Sequence, residues 1–312
     1  MIPIKYYDKG NPVFQQEEVA AYCEELLEKR DKVSTLDDWC EAHLPTDNGK
    51  KYTFRDVVKA TPEKLILLKQ HLDSLGDTAL ETINDELYNH DKNGKRKTSY
   101  IINTLYGKIR EKAKNRLTKL LNVRVCPYCN RNYVYSYNGV HTCQLDHFFS
   151  KTKYPILAVS FYNLIPVCGG CNNKKSDQDF LFNPHLKEEE IFRFSYSVNN
   201  ADFYKNENSV EVEIYDDEGL YQEQMDVLKL KDIYQGHRDI ITDLARKHLI
   251  FSDAYIKALA DEFKNFVSEA EVKELIYGVP LSVENAGNRP LSKFTRDILK
   301  EMEAKTELIE AE

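Results

Sequence analysis

Apolar residues recur at three- and four-residue spacings over Gln15 to Arg30, where Val19, Tyr22, Cys23, Leu26 and Leu27 fall on one face, so this stretch predicts an amphipathic helix. Thr61-Pro62 before EKLILLKQHL supplies an N-cap and a first-turn proline for another. Residues 91–99, DKNGKRKTS, read as a polar turn or loop. Ile101, Leu105, Ile109, Leu117 and Leu120 then predict a helix from about Tyr100 to Leu121 with its Lys and Arg outward. Asn138-Gly139 between YVYSY and VHTCQL is a strong hairpin signal and predicts strands at about 133–137 and 140–146. IFRFSYSV and SVEVEIY alternate with period two and predict a second strand pair. Lys231 to Leu249 and Ser252 to Val267 are candidate helices, and Ser268 with Glu271 forms a capping box ahead of VKELIY. The last dozen charged residues are expected to fray. The fold class expected is α+β. Its divisions are a mainly helical region over 1–121 ending in a basic helix, a cysteine-rich core over 122–186, and a small β-hairpin plus helices over 187–312.

Composition narrows this picture. With 42% hydrophobic and 30% charged residues the chain reads as an ordinary wet-surfaced globular protein. No run of about 18 apolar residues exists, so no membrane span is expected, and without a signal-peptide pattern the expected location is the cytoplasm. The net charge of −8 argues against a protein that coats nucleic acid indiscriminately. Locally the balance reverses: Lys92 to Arg124 holds eleven Lys or Arg and one acid, Glu111. Such a segment can hold a polyanion or simply be a solvated helix face.

Seven cysteines in a cytosolic chain point to metal binding or thiols, not a disulfide framework. Cys126-Pro-Tyr-Cys129 and Cys168-Gly-Gly-Cys171 are two CxxC pairs, a strong signal for one tetrahedral zinc. Four thiolates close the coordination shell, so the zinc is expected to serve folding. Gly169 and Gly170 are expected to relieve crowding where the backbone wraps the ion. Cys23, Cys40 and Cys143 are expected to be packing residues.

Between and after the pairs lie Asp146-His147, Asn163 and Asn172-Asn173-Lys174-Lys175. The run CPYC…LDH…YPIL…FYNLIPVCGGCNNKK resembles the zinc-knuckle form of the HNH, or ββα-metal, endonuclease family over Cys126 to Lys175. The resemblance implies a ββα-metal core with a structural zinc, flanked by mainly helical regions. It implies Asp146 and Asn172 as ligands of a catalytic Mg²⁺ or Mn²⁺, His147 as general base, Asn163 as the residue that orients the loop or His147, and Lys175 on phosphate. Asn172 stands where many members carry His, which suits a hard, oxygen-preferring cation; it could instead cap the helix. Lys174, Lys151, Lys153, Arg131, Arg116, Lys119 and Arg124 are further candidates for nucleic-acid contact. His141 and His185 are weaker candidates near the site. Ser292, Lys293 and Arg296 are either phosphate contacts or a solvated helix end.

The whole layout more loosely resembles the standalone HNH proteins encoded beside ATPases in Septu-like anti-phage systems. That likeness implies antiviral defence, DNA or else RNA as substrate, and an ABC/SMC-like ATPase partner. The chain has no GxxxxGK[ST] stretch of its own. A non-catalytic, zinc-stabilised nucleic-acid-binding protein is the alternative.

Overall fold

A computed structural model describes residues 1–4, 12–28, 32–109, 118, 121, 123–138, 140–186 and 190–310. It mixes helices with small antiparallel sheets, an α+β composition. The chain divides into two compact units. The first comprises Pro3–Val123 and Val134–Lys187; the second comprises Met1–Ile2, Arg124–Tyr133 and Glu188–Glu312. Residues 124–133, with the first CxxC, group with the C-terminal region.

In the first unit, α1 (Pro12–Leu27) buries Val19, Tyr22, Cys23, Leu26 and Leu27, the face its spacing predicts. Helix α2 (Val33–His43) follows, then the two-residue strands β1 (Thr46–Asp47) and β2 (Lys50–Lys51). Helix α3 (Phe54–Lys59) starts with a reciprocal cap between Thr53 and Asp56 and is central to the packing, with Phe54, Val57 and Val58 fully buried. Helix α4 (Pro62–Ser74) is capped by Thr61, whose side chain accepts from the Lys64 amide, as its sequence predicts. Helix α5 (Asp77–Asp85) completes the set.

Residues 91–99 are not all loop. Strand β3 (Tyr88–His90) pairs with β4 (Arg96–Ser99), and Asp91 closes the turn by accepting from Asn93 and Lys95. Arg96 is held by Asp85 and lies over the Tyr88 ring, contacts that a charge count does not reveal. The helix expected from Tyr100 begins as a π-helical turn over Tyr100–Leu105, then α6 (Tyr106–Lys108). Arg116 and Lys119, with residues 110–117 and 119–120 of that expected helix, lie outside the described residues.

The Asn138 hairpin forms with β5 (Ser136–Tyr137) and β6 (Val140–His141), Tyr137 opposite Val140. Asn138 sits at φ 48°, the left-handed conformation that asparagine tolerates in such a turn. The second expected strand does not run on to 146. Strand β7 (Gln144–His147) belongs to a separate sheet, antiparallel to β8 (Leu164–Val167), with Asp146 opposite Ile165 and His147 opposite Leu164. Burial explains the change: Leu164, Ile165 and Val167 have no exposed surface. Helix α7 (Gly169–Lys175) follows β8 directly.

In the second unit, the predicted strand pair is β9 (Arg193–Val198) against β10 (Val210–Tyr215). Gln235 bonds both the amide and the carbonyl of Val212, satisfying one outward-facing peptide of β10. Helices α8 (Gln222–Leu228) and α9 (Leu230–Tyr234) precede a 3₁₀ turn, then α10 (Arg238–Ile250). The single helix expected over 231–249 is thus broken. Helices α11 (Asp253–Glu262) and α12 (Glu269–Tyr277) carry the predicted caps, Ser252 and the Ser268–Glu271 box. Helix α13 (Ser292–Glu310) packs on β9, with Phe194, Tyr234 and Phe294 ring to ring, and stays helical through Glu310.

Candidate functional site

Cys126, Cys129, Cys168 and Cys171 are all buried, and their Sγ atoms lie within 4.8 Å of one another. Four sulfurs about 2.3 Å from a tetrahedral zinc stand about 3.8 Å apart, so these thiols are already gathered at the scale a structural zinc needs. Around the first pair the backbone is a tight knuckle: the Asn130 amide donates to the Cys126 carbonyl at 2.8 Å, and the Cys126 amide to the Asn132 carbonyl at 2.9 Å. Cys168 is the N-cap residue of α7 and Cys171 lies in its first turn. A Cβ on Gly169 would meet the Gln144 side chain at 3.2 Å, whereas one on Gly170 would meet nothing within 4 Å. The one close approach, at Gly169, is therefore to the Gln144 side chain and not to the backbone around the thiols. Cys143 is buried between β6 and β7. Burial raises the thiol pKa of Cys23 and Cys40, which marks them as packing residues.

The first unit has a cleft of about 1050 Å³. Its lining includes Asp146 and His147 from β7, Asn172 from α7, Tyr106, and Lys151. The β7–β8 pair and the helix after it therefore bring three of the four expected catalytic residues to one cavity.

His147 is 7% exposed. Its Nε2 lies 3.0 Å from the Ala158 carbonyl. A carbonyl only accepts, so Nε2 carries the proton and Nδ1 keeps the lone pair in the neutral ring. The Tyr106 ring packs against the imidazole with centroids 4.6 Å apart. Burial first, then the nearby Lys151 ammonium, pulls the His147 pKa down to about 3, against the opposing Ala158 bond. The imidazole is thus neutral across the physiological range.

Asn163, the fourth, is fully buried behind the cleft. Its Oδ1 accepts from the Phe149 amide at 2.7 Å, and its Nδ2 donates to the carbonyls of Phe149 and Leu157 at 3.1 and 3.0 Å. Of the two expected roles, these bonds are those of a residue that pins the 148–163 loop, which carries the Ala158 carbonyl. The N-terminal helices brace the same loop: Tyr22 donates to the Val159 carbonyl and Ser160 to the Val57 carbonyl. Sequence reading missed this support, because nothing in α1 or α3 marks them as holding a histidine 90 residues or more downstream.

Lys175 departs from expectation. It has no exposed surface, its Nζ lies 3.3 and 3.4 Å from the two Asp146 oxygens, and it donates to the His147 carbonyl at 2.9 Å. It is a buried counter-ion of Asp146 and not a surface contact for phosphate. A fully buried carboxylate needs such a partner. Asn172 donates through Nδ2 to Gln144 Oε1 at 2.7 Å, a bond that orients its amide and leaves Oδ1 as the acceptor atom.

Other candidates separate by surroundings. Lys151 lines the cleft with Nζ 5.1 Å from the centre of the Tyr106 ring. Lys153 is engaged by Asp73 and Asp77. Lys174 and Arg124 are exposed. Arg131 donates to His237 Nε2 at 2.8 Å. His141 pairs with Ser136 in the hairpin and reaches the cleft edge. His185 bonds the Leu164 carbonyl and is not among the cleft-lining residues. Ser292, Lys293 and Arg296 are buried, so neither expected role fits them. Lys293 and Arg296 instead bind Glu190 and Asp297.

No protein-family model, curated protein or solved structure matches this chain. Among the described residues, no helix is long and apolar enough to cross a membrane.

Proposed function

We propose that this chain is a metal-dependent endonuclease of the HNH type, hydrolysing phosphodiester bonds in DNA. The observation that carries the reading is the convergence of Asp146, His147 and Asn172 on one cleft, at the end of an antiparallel strand pair and on the helix that follows it. The donors suit a hard cation, since Asp146 offers carboxylate oxygens and Asn172 an amide oxygen, with the other positions left to water and phosphate. A divalent ion there would neutralise phosphate charge and acidify the attacking water, which suits a base of lowered proton affinity.

This chain's own residues do the remaining work. His147, held in the Nε2–H form by Ala158, takes the water proton at Nδ1. Asn163 keeps the loop, and so the ring, in place. Lys151 adds positive charge to the cleft wall. Lys175 holds the Asp146 carboxylate in place. The four thiols would hold a structural zinc at the start of α7, the helix that carries Asn172. The expected ATPase partner and role in antiviral defence belong to this proposal through the sequence resemblance, and co-purification with neighbouring gene products tests them.

The deciding experiment incubates the full chain with supercoiled plasmid, linear duplex, single-stranded DNA and RNA in Mg²⁺ or Mn²⁺. His147→Ala is expected to lower cleavage by roughly 10²–10⁴-fold with unchanged zinc content and circular dichroism. Equal rates for wild type and His147→Ala would end the nuclease reading. A wild type that binds nucleic acid but never cuts would favour the non-catalytic alternative.

A further inference from the structure

The hairpin of β5 and β6 presents aromatic rings to solvent at the edge of the cleft. Tyr135 and Tyr137 are 45% and 72% exposed and share one face by strand alternation, while Val134 on the opposite face is fully buried. The register places Val140, 65% exposed, across from Tyr137. Thr142 stands across from Tyr135: the Tyr135 amide donates to Thr142 Oγ1 and the Thr142 amide to the Tyr135 carbonyl, both at 2.9 Å. His141, Thr142 and Cys143 all line the cleft, so the hairpin borders the cavity that holds Asp146 and His147.

Charge points to the occupant. From Lys112 to Leu145, 34 residues hold no Asp or Glu, although the chain carries 51 acids in 312 residues and a stretch this long would hold between five and six at that density. An acid-free segment ending in exposed aromatics suits a polyanion with flat apolar faces. Spacing narrows the choice. Same-face residues of a strand lie about 7 Å apart, about twice the 3.4 Å rise of stacked duplex bases. Rings at that interval fit bases that have been spread apart.

We infer that Tyr135 and Tyr137 form a base-stacking platform that admits unpaired nucleic acid, so the strand entering the cleft is single-stranded or locally unwound. This rests on the nuclease reading above for the identity of the cleft. Each ring takes a base face irrespective of sequence, so the platform selects strandedness over sequence.

The test measures fluorescence anisotropy of the full chain with a labelled 20-nucleotide DNA strand, its RNA equivalent, and the same DNA annealed to its complement, without divalent ions. Wild type is expected to bind single strands more tightly than the duplex. Tyr137→Ala, and more so the double variant with Tyr135→Ala, is expected to weaken single-strand binding about 5- to 100-fold, while Tyr137→Phe keeps it and duplex binding does not change. Unaltered single-strand binding by the double alanine variant, or an equal loss for duplex, would overturn the platform. The two readings fail separately. Tyrosine variants that bind normally beside an inactive His147→Ala would sink only the platform. Lost single-strand binding in a protein that never cuts would sink only the nuclease.

Discussion

Lys175 is fully buried beside Asp146 in the first unit, and Lys293 is 2% exposed between Glu190 and Asp297 in the second. Both stood in the sequence as basic residues near a helix end, candidates for phosphate. Both turn inward, but to different effect. Lys293 Nζ lies 2.7 Å from Asp297 and 3.1 Å from Glu190, and Arg296 joins the same two carboxylates, giving two cations on two anions. Asp297 also accepts from the Phe194 amide, tying the cluster to β9. Lys175 has one carboxylate and one carbonyl, and its carboxylate lines an open cleft. The first cluster is closed and serves packing. The Lys175–Asp146 pair is buried too, but its carboxylate belongs to the cleft lining.

Breaking the helix that carries Lys175 should have the largest effect. Cys168→Ser or Cys171→Ser removes a thiol from the N-terminal turn of α7, and structural zinc contributes on the order of 10 kcal/mol in small zinc domains. Loss of bound zinc and of the cooperative melting transition is expected, measured by metal analysis and calorimetry. A mutant that melts like wild type would mean that α7 does not depend on the metal. Next comes the closed cluster. Asp297→Ala strands Lys293 and Arg296 and should cost about 3–5 kcal/mol in urea titrations. An effect below 1 kcal/mol would show that water reaches the cluster.

Lys175→Met is expected to fall at the lower end of that range, about 3 kcal/mol, because it takes this counter-ion from a buried carboxylate that also lines the cleft. Millimolar Mg²⁺ should recover part of that loss by binding the folded state and should leave the Asp297→Ala protein unaffected. Identical Mg²⁺ responses in the two variants would erase the proposed difference between the clusters. His185 sharpens the contrast with pH. Its burial holds the pKa down to about 4, below the unfolded value near 6.5, so the unfolded chain binds more protons in between. Its contribution is therefore complete above pH 6.5 and declines as the pH falls towards 4. His185→Gln should flatten that part of the stability profile, and an unchanged slope would contradict it. The smallest effect is Ser268→Ala, removing a capping box far from either lysine in sequence, at about 1 kcal/mol.

Asn130 shows where local signals stop. It sits at φ 51°, its Oδ1 accepts from the Lys293 amide at 3.0 Å, and its Nδ2 donates to the Ala286 carbonyl at 2.9 Å. Its carbonyl accepts from Leu291, itself at the unusual φ of 64° for a leucine. It thereby fixes the start of α13 from a position more than 150 residues earlier. In the sequence it is only the residue after CPYC.

The sequence alone determined whatever depends on neighbours within a turn or two. That covers the capped starts of α4, α11 and α12, the apolar face of α1, the Asn138 hairpin, the β9–β10 alternation and the candidacy of the four cysteines, since caps, turns and periodicity act over a few residues. Tertiary structure alone decided that β7 leaves the hairpin to pair with β8, that the loop braced by Tyr22 and Ser160 sets the tautomer of His147, and that Lys175, Lys293 and Arg296 turn inward. Those outcomes depend on which distant groups are desolvated together: a charge withdrawn from water must find its counter-charge wherever the fold supplies one, and one-dimensional spacing does not encode that location.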